Sequence, residues 1–307
     1  MNKLVSIVSP CYNGERYINR YIEMILQQTY RPLELVLVND GSTDKTDTII
    51  NELSHKINKD DGIIFKYINK QNGGVGSAVN VGLKQITGDY LIWPDTDDIL
   101  MPDSIAKRVA FLEANPEYGF VHSDGQRFIE GDVLQPSYKI PSKVPSNGNM
   151  FMNVLSGDVV YNPCGYMFKM EAFLNVNPNK EIFPSRYGQN IQMLMPIAYK
   201  YKCGHLKENL YGRVDREGSL SKVVWEDSDS AWRNRVYGLE QIHIETLKSI
   251  GGEAMAYIPY IQYRNQRILC SISKNVGEKA RTEQKRILSK STSMLLKEII
   301  KTLIGKE

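Results

Sequence analysis

Short apolar runs rich in β-branched residues alternate, over residues 4–124, with segments whose apolar positions recur three or four apart. That pattern predicts a mostly parallel sheet with crossover helices. Strands are expected at Leu4–Ser9, Leu33–Asn39, Ile63–Ile68, Tyr90–Trp93 and Gly119–Ser123. Helices are expected at Tyr17–Gln28, Asp44–Ile57, Val75–Ile86 and Pro102–Asn115. Tyr17, Tyr21, Ile25 and Gln28 share one helical face, and Ser42, Thr43 and Asp44 are good cap residues. From Asp124 to Tyr161 the pattern loosens. Pro136, Pro141, Pro145, Gly148 and Gly157 interrupt any long element, so loops with one short helix at Met150–Leu155 are expected. Met167–Met170 reads as a strand and Gly188–Tyr199 as a helix in spite of Pro196. Trp225–Ile250, Glu253–Ile272 and Val276–Ile304 read as helices. The expected organisation is an α/β domain over 1–222, with halves 1–124 and 125–222, followed by a helical region over 223–307.

Composition changes this picture little. The chain has 307 residues, 42% hydrophobic and 24% charged, which is ordinary for a globular protein. No apolar run reaches the ~18 residues of a membrane span, and the N-terminus runs into a strand without the apolar region of a signal peptide. Cys11, Cys164, Cys203 and Cys270 have no CxxC spacing, so buried thiols in a reducing cytoplasm are expected. His55, His205 and His243 lack ligand spacing and read as structural or surface residues. Charge is more informative. Residues 261–307 carry 11 Lys+Arg and 4 Asp+Glu, or +7, in a chain of net +3, so the other 260 residues are net −4.

The strongest chemical signal is Asp95-Thr96-Asp97-Asp98, directly after Tyr90-Leu91-Ile92-Trp93. Three carboxylates at the end of a buried strand call for a cation, and hard divalent ions such as Mg²⁺ or Mn²⁺ take oxygen ligands together with substrate phosphates. By itself the tetrad could equally be an acidic helix cap. Three other strand ends bear polar clusters: Ser9-Pro10-Cys11-Tyr12-Asn13-Gly14-Glu15, Asn39-Asp40-Gly41-Ser42-Thr43-Asp44 and Gln71-Asn72-Gly73-Gly74-Val75-Gly76-Ser77. Each alone is an ordinary turn. In a parallel sheet, however, all four converge on one edge, where open α/β sheets bind nucleotides. Neither GxxxxGK[ST] nor GxGxxG follows the first strand, which excludes a P-loop or dinucleotide-binding reading.

These four pieces, in this order over residues 4–100, resemble glycosyltransferase family 2. The resemblance implies a GT-A fold with a helical C-terminal extension. It also implies a nucleotide-sugar donor, expected to be a UDP-sugar, a Mn²⁺ or Mg²⁺ ion, and inversion at the anomeric carbon. Carried over by position, it makes Pro10, Tyr12 and Glu15 the nucleoside wall and Asp40 an acceptor for a base N–H. Asn72 and Gly74 would flank base and ribose. Asp97 would ligate the metal, Asp95 would contact the ribose or a metal-bound water with Thr96 beside it, and Asp98 would face the sugar or support the metal shell. The chain departs from the family at Ala78-Val79-Asn80, where an Arg often replaces Val79.

A second departure concerns the base that takes the acceptor hydroxyl's proton. The family places a Glu-Asp pair at a helix start where this chain has Gln189-Asn190, and amides do not titrate near neutrality. Three readings stand. Another carboxylate, Asp124 or Asp158, serves; or Gln189 and Asn190 position the acceptor while leaving-group activation carries the reaction; or the chain is a non-catalytic sugar-nucleotide or glycan-binding protein. Arg216, before Gly218-Ser219, fills the slot of a family residue that reaches the diphosphate, with Arg213 in reserve and Gly212 and Gly218 as flex points. The expected acceptor is a glycan or lipid-linked oligosaccharide in cell-surface polysaccharide synthesis. Residues 286–304 form an amphipathic basic stretch, read as a contact with the inner membrane surface, a docking or homo-oligomer helix, or a helix packed on its own domain. Nucleic-acid binding is not expected, since no recognition motif appears.

Overall fold

A computed structural model of the chain describes residues 2–57, 62–131, 134–216 and 229–272. The chain divides into two units, Met1–Arg216 and Glu217–Glu307. In the first, β1 (Val5–Cys11), β2 (Leu33–Asn39), β3 (Ile63–Asn69) and β4 (Tyr90–Ile92) run parallel in the order β3-β2-β1-β4. The sheet continues through β8 (Tyr166–Lys169), antiparallel to β4, then β6 (Tyr118–Ile129) and β9 (Lys202–Asp215), parallel to each other. β5 (Ile99–Leu100) closes this end against β9, and β7 (Gln135–Ile140) lies antiparallel on β6.

Alternation along the strands sorts side chains to two faces. Val5 and Ile7 of β1 and Leu33, Leu35 and Leu37 of β2 meet the buried stripe Ile18, Tyr21, Ile22 and Ile25 of α1 (Ile18–Leu26). α2 (Thr46–Ile57) and α4 (Ser104–Ala114) add Ile50, Leu53, Ile105 and Leu112 to the same cluster. On the opposite face Val8, Val36 and Val38 are fully buried, and α3 (Val75–Leu83) lies against β1 and β2. Gly82 permits this approach, because a Cβ there would collide with Val8.

One buried carboxylate ties the lower edge of this sheet. Glu34 of β2 is 1% exposed and accepts from Ser6 Oγ (2.5 Å), Lys66 Nζ (2.7 Å), and the Thr87 backbone N–H (2.8 Å) and Oγ1 (3.0 Å). It thereby joins β1, β2, β3 and the turn into β4.

The remainder of the first unit comprises α5 (Phe151–Ser156), a 3-10 turn at Pro163–Gly165, α6 (Met170–Val176) and α7 (Gln189–Lys200). In the second unit, α8 (Asp229–Ile250) and α9 (Ile258–Ile272) pack on each other across a 3-10 turn, Gly252–Tyr257. Two expectations are corrected. The region after Asp124 is not all loop: β6 runs on to Ile129 and pairs with β7 and β9, with bulges at Asp124 that break the alternation. A single helix over 253–272 is likewise replaced by the 3-10 turn and α9, with Pro259 in α9's first turn, where a missing N–H costs nothing. Among the described residues no helix is long and apolar enough to cross a membrane. The amphipathic stretch 286–304 lies outside the described residues.

Glu34→Ala should cost about 2–4 kcal/mol in urea unfolding, because it strands buried donors around Ser6 and Thr87. A loss within experimental error of zero would remove Glu34 from this role. Burial pushes the Glu34 carboxyl up, but hydrogen bonds from Lys66, Ser6 and Thr87 outweigh burial and hold it below its ordinary value. Its stabilisation is therefore complete above the unfolded Glu value of about 4.3 and disappears as pH falls through the lower folded value. Glu34→Gln should flatten that acid-side dependence.

Candidate functional site

The carboxyl ends of β1, β2, β3 and β4 share one edge, and their loops are laced by side chains reaching backbone N–H groups. In the loop after β1, the Asn13 N–H donates to Ser42 Oγ (2.9 Å) and the Gly14 N–H to Thr46 Oγ1 (2.8 Å). Asn13 Oδ1 in turn accepts from the Thr43 N–H (2.9 Å). Glu15 and Asp44 reciprocate: the Glu15 N–H donates to Asp44 Oδ2 and the Lys45 N–H to Glu15 Oε2, both at 3.0 Å. The loop after β3 closes on Asp40, whose Oδ1 accepts from Lys70 Nζ (2.6 Å) and the Gly73 N–H (3.1 Å), and whose Oδ2 accepts from the Gly74 N–H (2.8 Å). Gly74, at φ 85° and ψ 165°, sits where only glycine is comfortable, and it is the residue from which α3 starts. Gly41 has φ +70°, and a Cβ there would lie 2.7 Å from the Asn72 nitrogen.

The loop after β4 carries the acidic cluster. Ligand oxygens of Asp95, Asp97 and Asp98 lie within 4.8 Å of one another. Asp98 is held from two sides: Oδ2 accepts from Asn162 Nδ2 (2.7 Å) and Oδ1 from the Val214 N–H of β9 (2.9 Å). Asp97 Oδ2 pairs with Arg216 Nε at 2.7 Å, and its carbonyl accepts from Arg20 Nη2 at 2.6 Å. The Arg216 guanidinium also lies 4.8 Å from the Tyr17 ring centroid. Burial, then repulsion from Asp97, pushes the Asp98 carboxyl up to about 7. Burial and the charges of Asp97 and Asp98 push Asp95 up as well, against the pull of Arg216 and Arg213. Such a cluster is short of positive charge. Its hard oxygen donors fit Mg²⁺ or Mn²⁺, and any of the three aspartates could contribute a ligand oxygen.

The structure brings most of the sequence-derived residues to this edge. Pro10 and Cys11 end β1, Tyr12 is 51% exposed beside them, and buried Thr96 is within hydrogen-bonding reach of the Cys11 thiol. Asn72 sits in the loop that closes on Asp40. Arg216 and Asp97 meet, whereas Arg213 leans toward Asp215 at 3.9 Å. Gln189 and Asn190 open α7. Both ends of the Asn190 amide are engaged: Oδ1 accepts from Trp93 Nε1 (2.9 Å), and Nδ2 donates to the Tyr161 carbonyl (2.8 Å). Asp124 is occupied elsewhere, by His205 Nε2 (2.8 Å) and the Ser142 N–H (2.7 Å), and Asp158 pairs with Lys143 (2.6 Å). Among the described residues neither has a hydrogen bond or ion pair to the acidic cluster. Sequence reasoning missed Asn162, Arg20 and Tyr17. Only Asn162 left a trace, a polar residue before a proline in an otherwise unpatterned stretch.

A family model described as "Glycosyl transferase family 2" matches residues 6–176. An uncharacterized glycosyltransferase of Rickettsia typhi is 42% identical over 109 residues, 36% of this chain and 32% of that protein. The chain spans a third or less of the lengths of the first curated relatives it matches. Among solved structures, S. aureus TarS 1–349 in complex with UDP-GlcNAc superposes with a TM-score of 0.62 at 16% identity, covering 99% of this chain and 92% of that one. Mannosyltransferase PcManGT from Pyrobaculum calidifontis, in complex with GDP-Man and Mn²⁺, gives 0.55 at 18% identity, covering 100% and 89%.

Cys11 and Cys164 border the acidic cluster, and with Cys203 they are at most 2% exposed. Burial pushes all three thiols up, Cys11 to about 11, and nearby aspartates add to the effect at Cys11 and Cys164. None of the three should react with iodoacetamide at pH 8 in the native protein, and all should react in urea, as read by peptide mass mapping. Native labelling of Cys11 or Cys164 would contradict this packing.

Proposed function

We propose that this chain, which belongs to glycosyl transferase family 2 and has the GT-A fold, is a metal-dependent inverting transferase acting on a nucleotide-sugar. The donor we assign is a UDP-sugar, and the acceptor a glycan or lipid-linked oligosaccharide in cell-surface polysaccharide synthesis. The observation that carries this reading is the acidic cluster at the end of β4, on the sheet edge where three polar loops are laced together.

On the donor side, Asp40 has three of its four acceptor positions filled, leaving one on Oδ2 for a base N–H such as the uracil imide. Tyr12 presents an exposed ring to the base, and Glu15 fixes the loop behind it. Asp95 and Asp97 would hold the divalent ion, which when bound supplies charge stabilisation to the departing diphosphate. Arg216 now compensates Asp97. With a divalent ion held by the aspartates, Arg216 would be the residue to meet the diphosphate oxygens, for which its planar donors suit it. Asn162 and the Val214 N–H fix the Asp98 carboxyl, to which we assign the contact with the sugar.

On the acceptor side, the locked Asn190 amide braces Trp93 and α7, which leaves Gln189 as the residue of the pair we assign to orient a hydroxyl. Leaving-group stabilisation then carries the reaction. A second reading, a non-catalytic sugar-nucleotide or glycan-binding protein, is favoured by the same observation, since no carboxylate starts α7.

Nucleotide release from UDP-, GDP- and dTDP-sugars in the presence of Mn²⁺ decides between these readings. The expected outcome is slow release from a UDP-sugar, abolished by EDTA and reduced by about 100-fold or more in Asp97→Ala. Metal-dependent donor binding with no release, even with glycan acceptors supplied, supports the binding-protein reading; absence of nucleotide binding overturns both. Arg216→Ala should separate two effects in calorimetry. Affinity for Mn²⁺ alone rises, because a competing cation is gone, while affinity for UDP with Mn²⁺ falls by about tenfold.

A further inference from the structure

The turn that follows β3 holds a cation against Asp40. Asn39 and Asn69 are the last paired residues of β2 and β3, and the Lys70 N–H still donates to the Asn39 carbonyl at 3.0 Å. Parallel register therefore places Lys70 beside Asp40, the first residue past β2. The Lys70 ammonium donates to Asp40 Oδ1 and to the Gln71 carbonyl, both at 2.6 Å. An ammonium has three N–H groups, so one is not engaged by the described residues. The two side chains are 18% and 4% exposed, and solvent screens the pair little. Val79, at the position where the family often has arginine, is fully buried. Among the described residues, the cation bonded to Asp40 is Lys70.

This turn is clamped from outside. The Gly76 N–H donates to the Ser185 carbonyl at 3.0 Å, and the Asn80 amide bonds both the carbonyl and the N–H of Ile182 at 2.8 Å. A Cβ on Gly73 would lie 3.1 Å from Lys70 Nζ, so glycine leaves the ammonium its room. Groups fixed in this way can read a ligand by pattern. Asp40 accepts two hydrogen bonds on Oδ1, from Lys70 and Gly73, and one on Oδ2, from Gly74. The pair therefore offers a base one acceptor position, on Oδ2, beside one ammonium donor. The imide edge of uracil presents one N–H between two carbonyls and meets both groups. Guanine presents two adjacent N–H donors, and the second acceptor they need is taken by Lys70. Cytosine turns a ring-nitrogen lone pair toward the carboxylate.

We propose that Lys70 selects the base of the donor: its third N–H binds a carbonyl flanking the imide, and its hold on Asp40 Oδ1 denies guanine a second acceptor. The donor is thereby narrowed to nucleotides with a diketo pyrimidine edge, uracil or thymine. This assignment rests on the donor-edge reading above, in which Asp40 receives the base N–H. Lys70 acts on donor choice and takes no part in the chemistry at the sugar.

Calorimetry on the full chain with Mn²⁺ and UDP, CDP or GDP tests the proposal. UDP and CDP differ only at the base edge, and the parent should prefer UDP by about tenfold or more. Equal affinity for the two overturns the proposal without any variant having to fold. Lys70→Met removes the ammonium and opens a position on Asp40 Oδ1. Its affinity for UDP should fall while that for GDP rises, so that the UDP/GDP preference drops by about tenfold or more. Lys70→Arg, which keeps a cation on Asp40, should retain the preference for UDP. A parallel loss of UDP and GDP binding in Lys70→Met marks a structural role; it overturns the proposal and leaves the donor-edge reading standing. If the parent binds no nucleotide in the presence of Mn²⁺, the donor-edge reading falls and this proposal falls with it.

Discussion

Three carboxylates at the end of one short strand set the terms for the site. Asp95, Asp97 and Asp98 repel one another in a partly buried place, and everything near them answers that repulsion. Asn162 and the Val214 N–H hold Asp98, Arg20 binds the Asp97 carbonyl, and Arg216 pairs with the Asp97 carboxylate. The distribution is uneven in a useful way. Hydrogen bonds from neutral groups orient a carboxylate without neutralising it, so Asp98 can be fixed while the cluster keeps its attraction for a cation. Among the described residues, the side-chain ion pair with the cluster is made by one guanidinium, Arg216, on a side chain long enough to turn away.

Loops that must present backbone and side chains to a ligand are normally the least constrained part of an α/β domain. Here they are fastened to one another. Asn13, Glu15, Asp40 and Asp44 each spend carboxyl or amide oxygens on the N–H groups of a neighbouring loop. The same short polar residues that would otherwise mark flexible turns make the edge a fixed surface. Rigidity matters because a binding surface assembled from four separate loops is only as well defined as their mutual positions. Glu34 does the equivalent work at the opposite end of the strands, where four donors from three elements meet one buried carboxylate.

The first four strands were legible because each is a short run rich in apolar residues bounded by polar turns. Leu33–Asn39 is buried at every position and was bounded correctly by its apolar run alone. β9 was not legible. Its residues Lys202–Asp215 mix charged and small side chains, and bulges against β6 destroy the alternation that would announce a strand. Its pairing energy comes from neighbours distant in sequence, which no local pattern records. At the site, ordered strand-end motifs brought Asp40, Gly74, Asp97 and Arg216 into view. Asn162 and Tyr17 stayed hidden because their partners lie 64 and 199 residues away: Asn162 acts on Asp98 and Tyr17 stands beneath Arg216. Gln189 and Asn190 were recognised as a slot, but only the geometry separates them, since the Asn190 amide is committed at both ends.

An interior with excess negative charge at one place and an uncompensated guanidinium at another invites the question why the two do not simply pair. Cys164 feels both: Asp98 and Asp95 push its thiol up, while Arg108 pulls it down. No carboxylate, by contrast, acts on Arg108 itself. A permanent buried bridge from Arg108 to the acidic cluster would be hard to break, since separating such a pair costs several kcal/mol. It would also leave no charge for a divalent ion to meet. Holding Arg108 on Ser123 keeps the carboxylates available to a partner that can leave. Arg216 is such a partner: its charge is accessible at the rim, and the pair it makes with Asp97 is only partly buried. Of these two cations, Arg108 is fixed in the interior and Arg216 is paired with a carboxylate of the site.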